Sequence, residues 1–356
     1  MALKVLQVIA DGSPGGGTTH VLQILRGLSS QCYFGLITQK DSYLLNEARA
    51  LGIPCAGANF FGSRLDARVP FKLRRLVREF EPKVVHVHGN RAGFFYAPAT
   101  TMVPTVYHVH GYHFVHRPPL SRWLAVNAER LAAFSARCII WECDHDARVA
   151  RTEKLLTDLK KGVVIKNSIP LQKIPRAKPT ETKRIGFVGR LEHQKDPFLF
   201  LDVVERLPGG YSATIVGGGM LEDKVKAEIR RRNLSQVQVL GSLSHLEMLQ
   251  ALSRLSVVVM TSRWEGLPYL PLEAMWSGVP VVATNVGALS EIIENRKSGL
   301  LVDNRSAHGL ARAVVRLTED LAFREHVVKE GRNRVREMFS EERMLRKIFE
   351  VYRQVA

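Results

Sequence analysis

The sequence predicts an α/β protein made of two doubly wound domains, each a parallel sheet with helices on both faces. Short apolar strand-like runs alternate with helix-periodic segments along the whole chain. The unit of strand, glycine-containing turn and helix occurs in both halves, although no residue-level repeat joins them. At 356 residues the chain is also longer than one compact core serves well.

Taken in order, Val5–Ile9 reads as a buried first strand. Its apolar run is too short, and too soon broken by Gln7, for a secretory leader. The loop Asp11–Gly17 follows, then an amphipathic helix with Val21, Leu22, Ile24, Leu25 and Leu28. Backbone N–H groups in such a loop can approach a phosphate, but the spacing matches neither GxGxxG nor the Walker pattern. Phe34–Thr38 is a strand, Tyr43–Leu51 a helix stopped by Gly52, and Phe71–Phe80 a helix. On that helix Phe71, Leu73, Leu76, Val77 and Phe80 form an apolar side opposite Lys72, Arg74, Arg75 and Arg78. Two uses of the basic side stay open, a solvated face or a face that meets anionic lipid.

Val84–His88 and Val106–His110 are strands, with Ala92–Thr100 helical between them. Period-2 spacing places His86 with His88, and His108 with His110, on common faces. A zinc site is disfavoured there, because no acid or cysteine stands at ligand spacing. Ala136–Trp141 is a strand, and Asp144 reads as the cap, with Asp146 in the acidic first turn, of the next helix rather than as a metal-binding DxD. Gly162–Pro170 leads into a polar linker, Pro170–Lys183. The expected boundaries are residues 1–168 for the first domain, 169–338 for the second, and 339–356 for a helix returning to the first.

The second half repeats the plan. Arg184–Gly189 is a strand, followed by a polar loop and a helix opened by Pro197. Strand Ala213–Val216 ends in Gly217–Gly219 before a helix over 220–232, and Val237–Leu240 precedes a helix over Ser244–Ser253. The strand Leu255–Thr261 leads to Ser262–Gly278, the most specific stretch of the chain. There Glu265 and Glu273 stand with seven residues between them, Pro271 marks the expected first helical position, and Gly278 the stop. Glu265 is thus expected in a loop above a strand end and Glu273 in the first helical turn, where unpaired N–H groups bind anions. Val279–Thr284 and Gly299–Asp303 are strands around a helix holding Glu291, and three helices close the chain.

Composition narrows the function. The net charge is +17, from 51 basic and 34 acidic residues, which suits a polyanionic partner. The basic residues are dispersed and no nucleic-acid-binding signature is present, so a nucleic-acid module rests on charge alone. Four cysteines without CxxC spacing suit a reducing cytoplasm. A dehydrogenase is excluded by the missing GxGxxG with a ribose-binding acid.

Phe187–Pro197, Ile215–Gly219, the glutamate pair with Gly266, Leu267 and Pro268, and Gly278–Ala283 together make the chain resemble the family 4 retaining glycosyltransferases. Gly16–Gly17, His110–Gly111, Met338–Ser340 and Tyr352 extend the likeness over nearly the whole chain. The resemblance implies a GT-B architecture, two Rossmann-like domains facing a central cleft. It implies transfer from a nucleotide-diphosphate sugar, with a UDP-sugar favoured, to a hydroxyl acceptor with retention. It also implies no resident metal or cofactor.

By the same resemblance Arg190 and Lys195 neutralise the departing diphosphate, helped by N–H groups of the Gly266–Leu272 turn. Glu273 accepts from the ribose, Glu265 stands beside the donor sugar, and His110 near sugar and acceptor, with a weaker acceptor role for His113. Gly16 and Gly17 close over the diphosphate, and Gly189 and Gly217 belong to the donor site. The chain departs from the family in having Gly218 where Asp is common, and Ala288 to Ser290 where a second Gly and a Pro are usual. Expected partners are the nucleotide sugar, an acceptor such as a polyprenyl-diphosphate-linked glycan, and an anionic membrane, with no nucleic acid. The expected location is the cytoplasm, peripheral on the inner face of the plasma membrane if the lipid reading holds. The alternatives are a GT-B sugar-nucleotide epimerase or a transferase using a soluble acceptor.

Overall fold

The computed structural model of the chain describes residues 2–62, 66–99, 102–116, 118–156, 161–177 and 183–356. The side chains of His113 and His116 lie outside the described set, as do Thr100 and residues 178–182 of the expected linker. Two compact units form, Met1–Asn167 with Glu341–Ala356, and Ser168–Ser340.

The first unit holds β1 (Leu3–Ile9), β2 (Cys32–Gln39), β3 (Cys55–Ala58), β4 (Val84–His88), β5 (Thr105–Val109), β6 (Cys138–Trp141) and β7 (Gly162–Val164). They form one parallel sheet in the order β3-β2-β1-β4-β5-β6-β7. Strands buried on both faces explain the continuous Val/Ile-rich runs. On one face α1 (Gly16–Gly27), α2 (Tyr43–Ala50) and α14 (Glu341–Val355) pack over Val5, Ile9, Val84, Val106 and Ile140. On the other, α3 (Arg68–Phe80), α4 (Gly89–Tyr96) and α5 (Pro119–Ser135) bury Leu73, Val77, Phe95, Val126 and Ala132 against Val85, Val87 and Tyr107. Helix α6 (Asp144–Thr152) follows β6.

The second unit has the order β10-β9-β8-β11-β12-β13, again parallel. Its strands are β8 (Arg184–Val188), β9 (Ser212–Val216), β10 (Val237–Gly241), β11 (Val257–Met260), β12 (Val281–Thr284) and β13 (Leu300–Val302). The helices are α7 (Pro197–Glu205), α8 (Glu222–Arg231), α9 (His245–Leu252), α10 (Tyr269–Ser277), α11 (Leu289–Ile292), α12 (Ala307–Glu319) and α13 (Leu321–Met338). Two doubly wound parallel sheets are the expected fold class.

Several local expectations are corrected. Strand β3 and the 17-residue α5 are additional elements; the first lacks alternation, and the second carries its Leu and Trp on the outer side while burying Val126, Glu129, Ala132 and Ala133. Gly16 and Gly17 open α1 rather than ending the loop, with Gly15 at the cap. The cap of α6 is Cys143, whose Sγ accepts from the Asp146 N–H, one residue before the expected Asp144. Helix α10 is capped by Pro268 and begins at Tyr269, so Pro271 is its third residue and Glu273 its fifth, past the first turn. Phe71 does not join the apolar side of α3 but stands 73% exposed, while Val69, Leu73 and Val77 are buried. The segment after Pro170 is docked rather than free: Trp276 Nε1–H donates to the Leu171 carbonyl at 2.6 Å, and Ser277 Oγ–H to that of Pro175 at 2.7 Å.

Loops at the carboxyl ends of β8 and β9 touch backbone to backbone. Gly217 has φ +133°, and a Cβ there would lie 2.0 Å from the Gly189 carbonyl oxygen. Only glycine meets both demands. Gly217→Ala is therefore expected to lower stability by about 2 kcal/mol or more, read as a lower urea midpoint.

Candidate functional site

In the second unit the candidate side chains lie in the loops and helix starts that follow strand ends, the standard ligand edge of an open α/β sheet. The loop after β8 is tied to the loop after β11 by four hydrogen bonds. Thr261 Oγ1–H reaches the carbonyls of Lys195 and Asp196 at 2.9 Å, Gln194 Nε2–H that of Trp264 at 3.0 Å, and Arg263 N–H that of Gln194 at 2.8 Å. This brings Lys195 to Glu265: Lys195 Nζ donates to Glu265 Oε1 at 2.6 Å, and Ser262 Oγ–H donates to the same oxygen at 2.6 Å. Glu265 is buried, whereas the Lys195 side chain stays 20% exposed, its stem passing over Gly189. The ammonium is thus held by one carboxylate oxygen while part of it faces solvent. Gly287 completes the seat, because at φ +57° a Cβ there would lie 1.9 Å from the Glu265 carbonyl oxygen.

Glu273 is also buried, and its Oε1 lies 2.7 Å from Nε2 of His245, the first residue of α9. That hydrogen bond raises the His245 pKa above its ordinary value, against burial, which lowers it. Arg190 stands apart from the Lys195–Glu265 pair. Its guanidinium is 66% exposed and meets Glu192 at 3.0 Å. Leu267 is buried, and Gly266 and Pro268 form the turn into α10. Since Pro271 has no N–H, the free donors of that helix start are fewer than in an ordinary first turn.

Three further residues escaped the sequence reading. Asp196, left-handed at φ 50° and buried, caps α7 through Leu199 N–H and pairs with Arg263 at 2.9 Å and with Arg305. A polar residue immediately before Pro197 was the available signal for the cap; the arginines gave none.

In the first unit, β1, β4 and β5 carry Gln7, His86, His88 and His108 on the face covered by α1 and α14, with Gln7 paired to His86 and His88 to His108 across the sheet. Residues at period two in neighbouring parallel strands share a face, so a polar patch lies inside an otherwise aliphatic layer. His110 stacks on His108 with centroids 4.7 Å apart, and His20 of α1 meets His108 edge-on at 4.5 Å. Glu142, just past β6, brings its Oε1 to 2.5 Å from His110 Nδ1. A Cβ on Gly17 would come within 4.0 Å of the His110 ring, so the start of α1 lies against this histidine. Gly16 is the first residue of that helix.

Among the described residues two trios have potential ligand atoms within 4.8 Å of one another, His86–His88–His108 and His20–His108–Glu142. The acid missing from the local sequence spacing is thus supplied from β6. Both nitrogens of His86 and of His88 are already hydrogen-bonded, to Tyr352, His108, His110 and Gln7. In the second trio Glu142 Oε1 is engaged by His110. Hydrogen bonding therefore accounts for the spacing of the first trio, whereas in the second His108 Nε2 and both nitrogens of His20 are buried without a hydrogen-bond partner among the described residues.

Two family profiles divide the chain. One described as Glycosyl transferase 4-like domain matches residues 15–167, and one described as Glycosyl transferases group 1 matches residues 168–334. Among curated relatives, the O-antigen biosynthesis glycosyltransferase WbnH of Escherichia coli is 25% identical over 83% of this chain and 85% of its own length. A UDP-Gal:alpha-D-GlcNAc-diphosphoundecaprenol alpha-1,3-galactosyltransferase of the same organism is 27% identical over 87% and 85%. Among solved structures, Anabaena Alr3699/HepE in complex with UDP-glucose superposes with a TM-score of 0.86 at 20% identity, covering 99% of this chain and all of that one.

The buried imidazoles carry a stability cost in acid. Burial first, and then neighbouring imidazoles, lowers the pKa of His20, His86, His88 and His108, that of His86 to about 3. Above the unfolded value of 6.5 both states are neutral; below it the unfolded chain gains protons that the fold refuses. Stability is thus fully present above pH 6.5 and is lost as pH falls toward 3. The limiting slope is about 1.4 kcal/mol per pH unit for each such histidine. Urea midpoints are expected to drop between pH 7 and pH 5, and His86→Phe should reduce the slope.

Proposed function

The chain belongs to the family 4 glycosyltransferases of GT-B fold, and we propose that it moves a sugar from a nucleoside-diphosphate donor to a lipid-linked hydroxyl acceptor with retention. The observation that carries the donor half is the Lys195–Glu265 pair, with Glu273 eight positions on. The ammonium, fixed by a buried carboxylate oxygen and partly open to solvent, is preorganised for charge that grows on a departing diphosphate. Arg190, free to leave Glu192, supplies the second cation, and the backbone turn Gly266–Pro268 with the start of α10 supplies neutral donors. Glu273 accepts from the ribose hydroxyls once His245 shares or yields the carboxylate. Glu265 and Glu273 serve as donor clamps rather than as an acid and nucleophile, and His110, Gly16 and Gly17 contribute from the first unit. Gly189 and Gly217 allow the loops their close approach. His113 is retained as the acceptor-side candidate. Relatives named as transferases support this reading over an epimerase.

A UDP-sugar donor is supported by the UDP-glucose complex of the structural neighbour, and an undecaprenyl-diphosphate acceptor by the name of the galactosyltransferase relative. The surface of the first unit suits such an acceptor. Leu120, Trp123, Leu124, Leu131 and Phe134 form an exposed stripe along α5, and Phe71 stands out from α3 among Lys72, Arg74, Arg75 and Arg78. A groove of about 300 Å³ between α3 and α4 is lined by Phe71, Arg74, Phe94, Phe95 and Pro98. Apolar side chains beside a basic helix fit an anionic leaflet. Among the described residues no helix is long and apolar enough to cross a membrane, so we propose peripheral attachment at the cytoplasmic face.

Two measurements test this. With a UDP-sugar and a polyprenyl-diphosphate glycan, UDP should be released in the presence of excess chelator. Lys195→Ala and Glu265→Gln should each lose about a hundred-fold or more in turnover while staying folded; wild-type rates in both would remove the assignment. Anionic but not neutral vesicles should sediment the protein, less so at high salt. The double change Phe71→Ser with Trp123→Ser should weaken that binding by at least about five-fold.

A further inference from the structure

The polar groups under α1 and α14 form a ring. From Glu142 Oε1 it runs to His110 Nδ1 (2.5 Å), then from His110 Nε2 to His88 Nδ1 (3.1 Å) and from His88 Nε2 to Gln7 Oε1 (2.7 Å). It continues from Gln7 Nε2 to the Tyr352 hydroxyl (3.0 Å), to His86 Nδ1 (2.6 Å), and from His86 Nε2 to His108 Nδ1 (3.2 Å). His108 Nε2 comes round to 3.9 Å from Glu142 Oε1, beyond hydrogen-bond distance, so the ring closes in space but not through a hydrogen bond. His20 stands edge-on to His108 and His110 without entering the ring.

The proton positions follow from donor and acceptor rules. A carboxylate only accepts, so the 2.5 Å contact places a proton on His110 Nδ1. With the Gln7 oxygen toward His88, His88 carries its proton on Nε2 and offers a bare Nδ1. His110 must then donate from Nε2 as well, and is an imidazolium against the Glu142 carboxylate. Meanwhile Tyr352 donates to His86 and His86 to His108. With the Gln7 amide reversed, every other bond in the ring reverses, and His110 becomes neutral with its Nε2 accepting from His88. The two senses differ by one proton. In both, His110 Nδ1 is protonated and Nε2 is engaged by His88.

We propose that Glu142 is a positioning residue for sugar transfer: it pins the proton on His110 Nδ1 and, with His88, leaves His110 no nitrogen for acid or base work on substrate. His110 then serves as a fixed ring beside the turn His110–Gly111 and the start of α1. The inference rests on the transferase reading for the role of His110, but not for the placement of its proton. Glu142 and Gln7 are far apart in sequence from His110, which is why no local motif announces them.

The test is Glu142→Gln in the full chain, since the amide keeps the shape and can either donate or accept. In histidine-¹⁵N-labelled wild-type protein at neutral pH, His110 Nδ1, assigned by its loss in His110→Asn, is expected in the protonated range. In Glu142→Gln that signal should move toward the unprotonated range. Turnover should fall by about ten-fold or more with donor KM within about three-fold, as when the orienting group of a histidine is lost. An unprotonated Nδ1 in the wild type, wild-type kcat in the variant, or an effect on KM alone would each overturn the proposal. The wild-type spectrum decides the proton placement even if the variant does not fold. If no donor supports turnover, the transferase reading fails while the spectrum still decides the ring.

Discussion

Parallel pairing is the constraint on which the rest depends. Every strand ladder in both sheets is parallel, so each strand must return through a crossover and all strands end at one edge of their sheet. That edge collects the loops after β8, β9 and β11 in the second unit, and those after β5 and β6 with the start of α1 in the first. Residues far apart in the chain become neighbours there without any long loop. Lys195 and Glu265 meet across 70 positions, and His110 and Glu142 across 32.

Both meetings join a carboxylate to a cationic or hydrogen-bonding nitrogen in a protected place. A buried carboxylate left alone is costly, and removing its partner costs more than the pair contributes. Each glutamate therefore has a second means of support. Ser262 donates to Glu265 alongside Lys195, and the ring of imidazoles ends on Glu142. Such arrangements constrain orientation more than they add stability, which suits sites where a charge must stand ready before substrate arrives. Close backbone packing serves the same end: Gly217 against Gly189, and Gly287 against Glu265, set the loops that hold these side chains.

The C-terminal helix shows how the first unit depends on the end of the chain. Tyr352 of α14 lies wholly buried and bridges Gln7 and His86. Its hydroxyl meets the Gln7 amide on one side and a ring nitrogen on the other, so α14 supplies part of the polar patch as well as apolar cover from Met344, Ile348 and Val351.

By itself the sequence determined the fold class and most of the strands, and it singled out the segments proposed to carry the donor site. Those properties reside in local periodicity, in glycine and proline placement, and in short motifs such as Glu265 and Glu273 with Gly266 and Pro268. Helix starts were less legible: Pro271 reads as a first helical residue, yet Tyr269 and Leu270 extend α10 back to Pro268, since a proline is tolerated anywhere in the first turn, where the N–H it lacks has no intrahelical partner. The outward Phe71 and the stripe on α5 also needed the fold, since an apolar residue does not reveal which side of a helix the sheet covers. Above all, tertiary structure decided the partners. Asp196 with Arg263 and Arg305, Glu273 with His245, and Glu142 with His110 and the ring behind it are contacts between the loops and helices that follow different strands. Hydrogen bonds and ion pairs act over a few ångströms in space, and sequence patterns encode them only when the partners are also close along the chain.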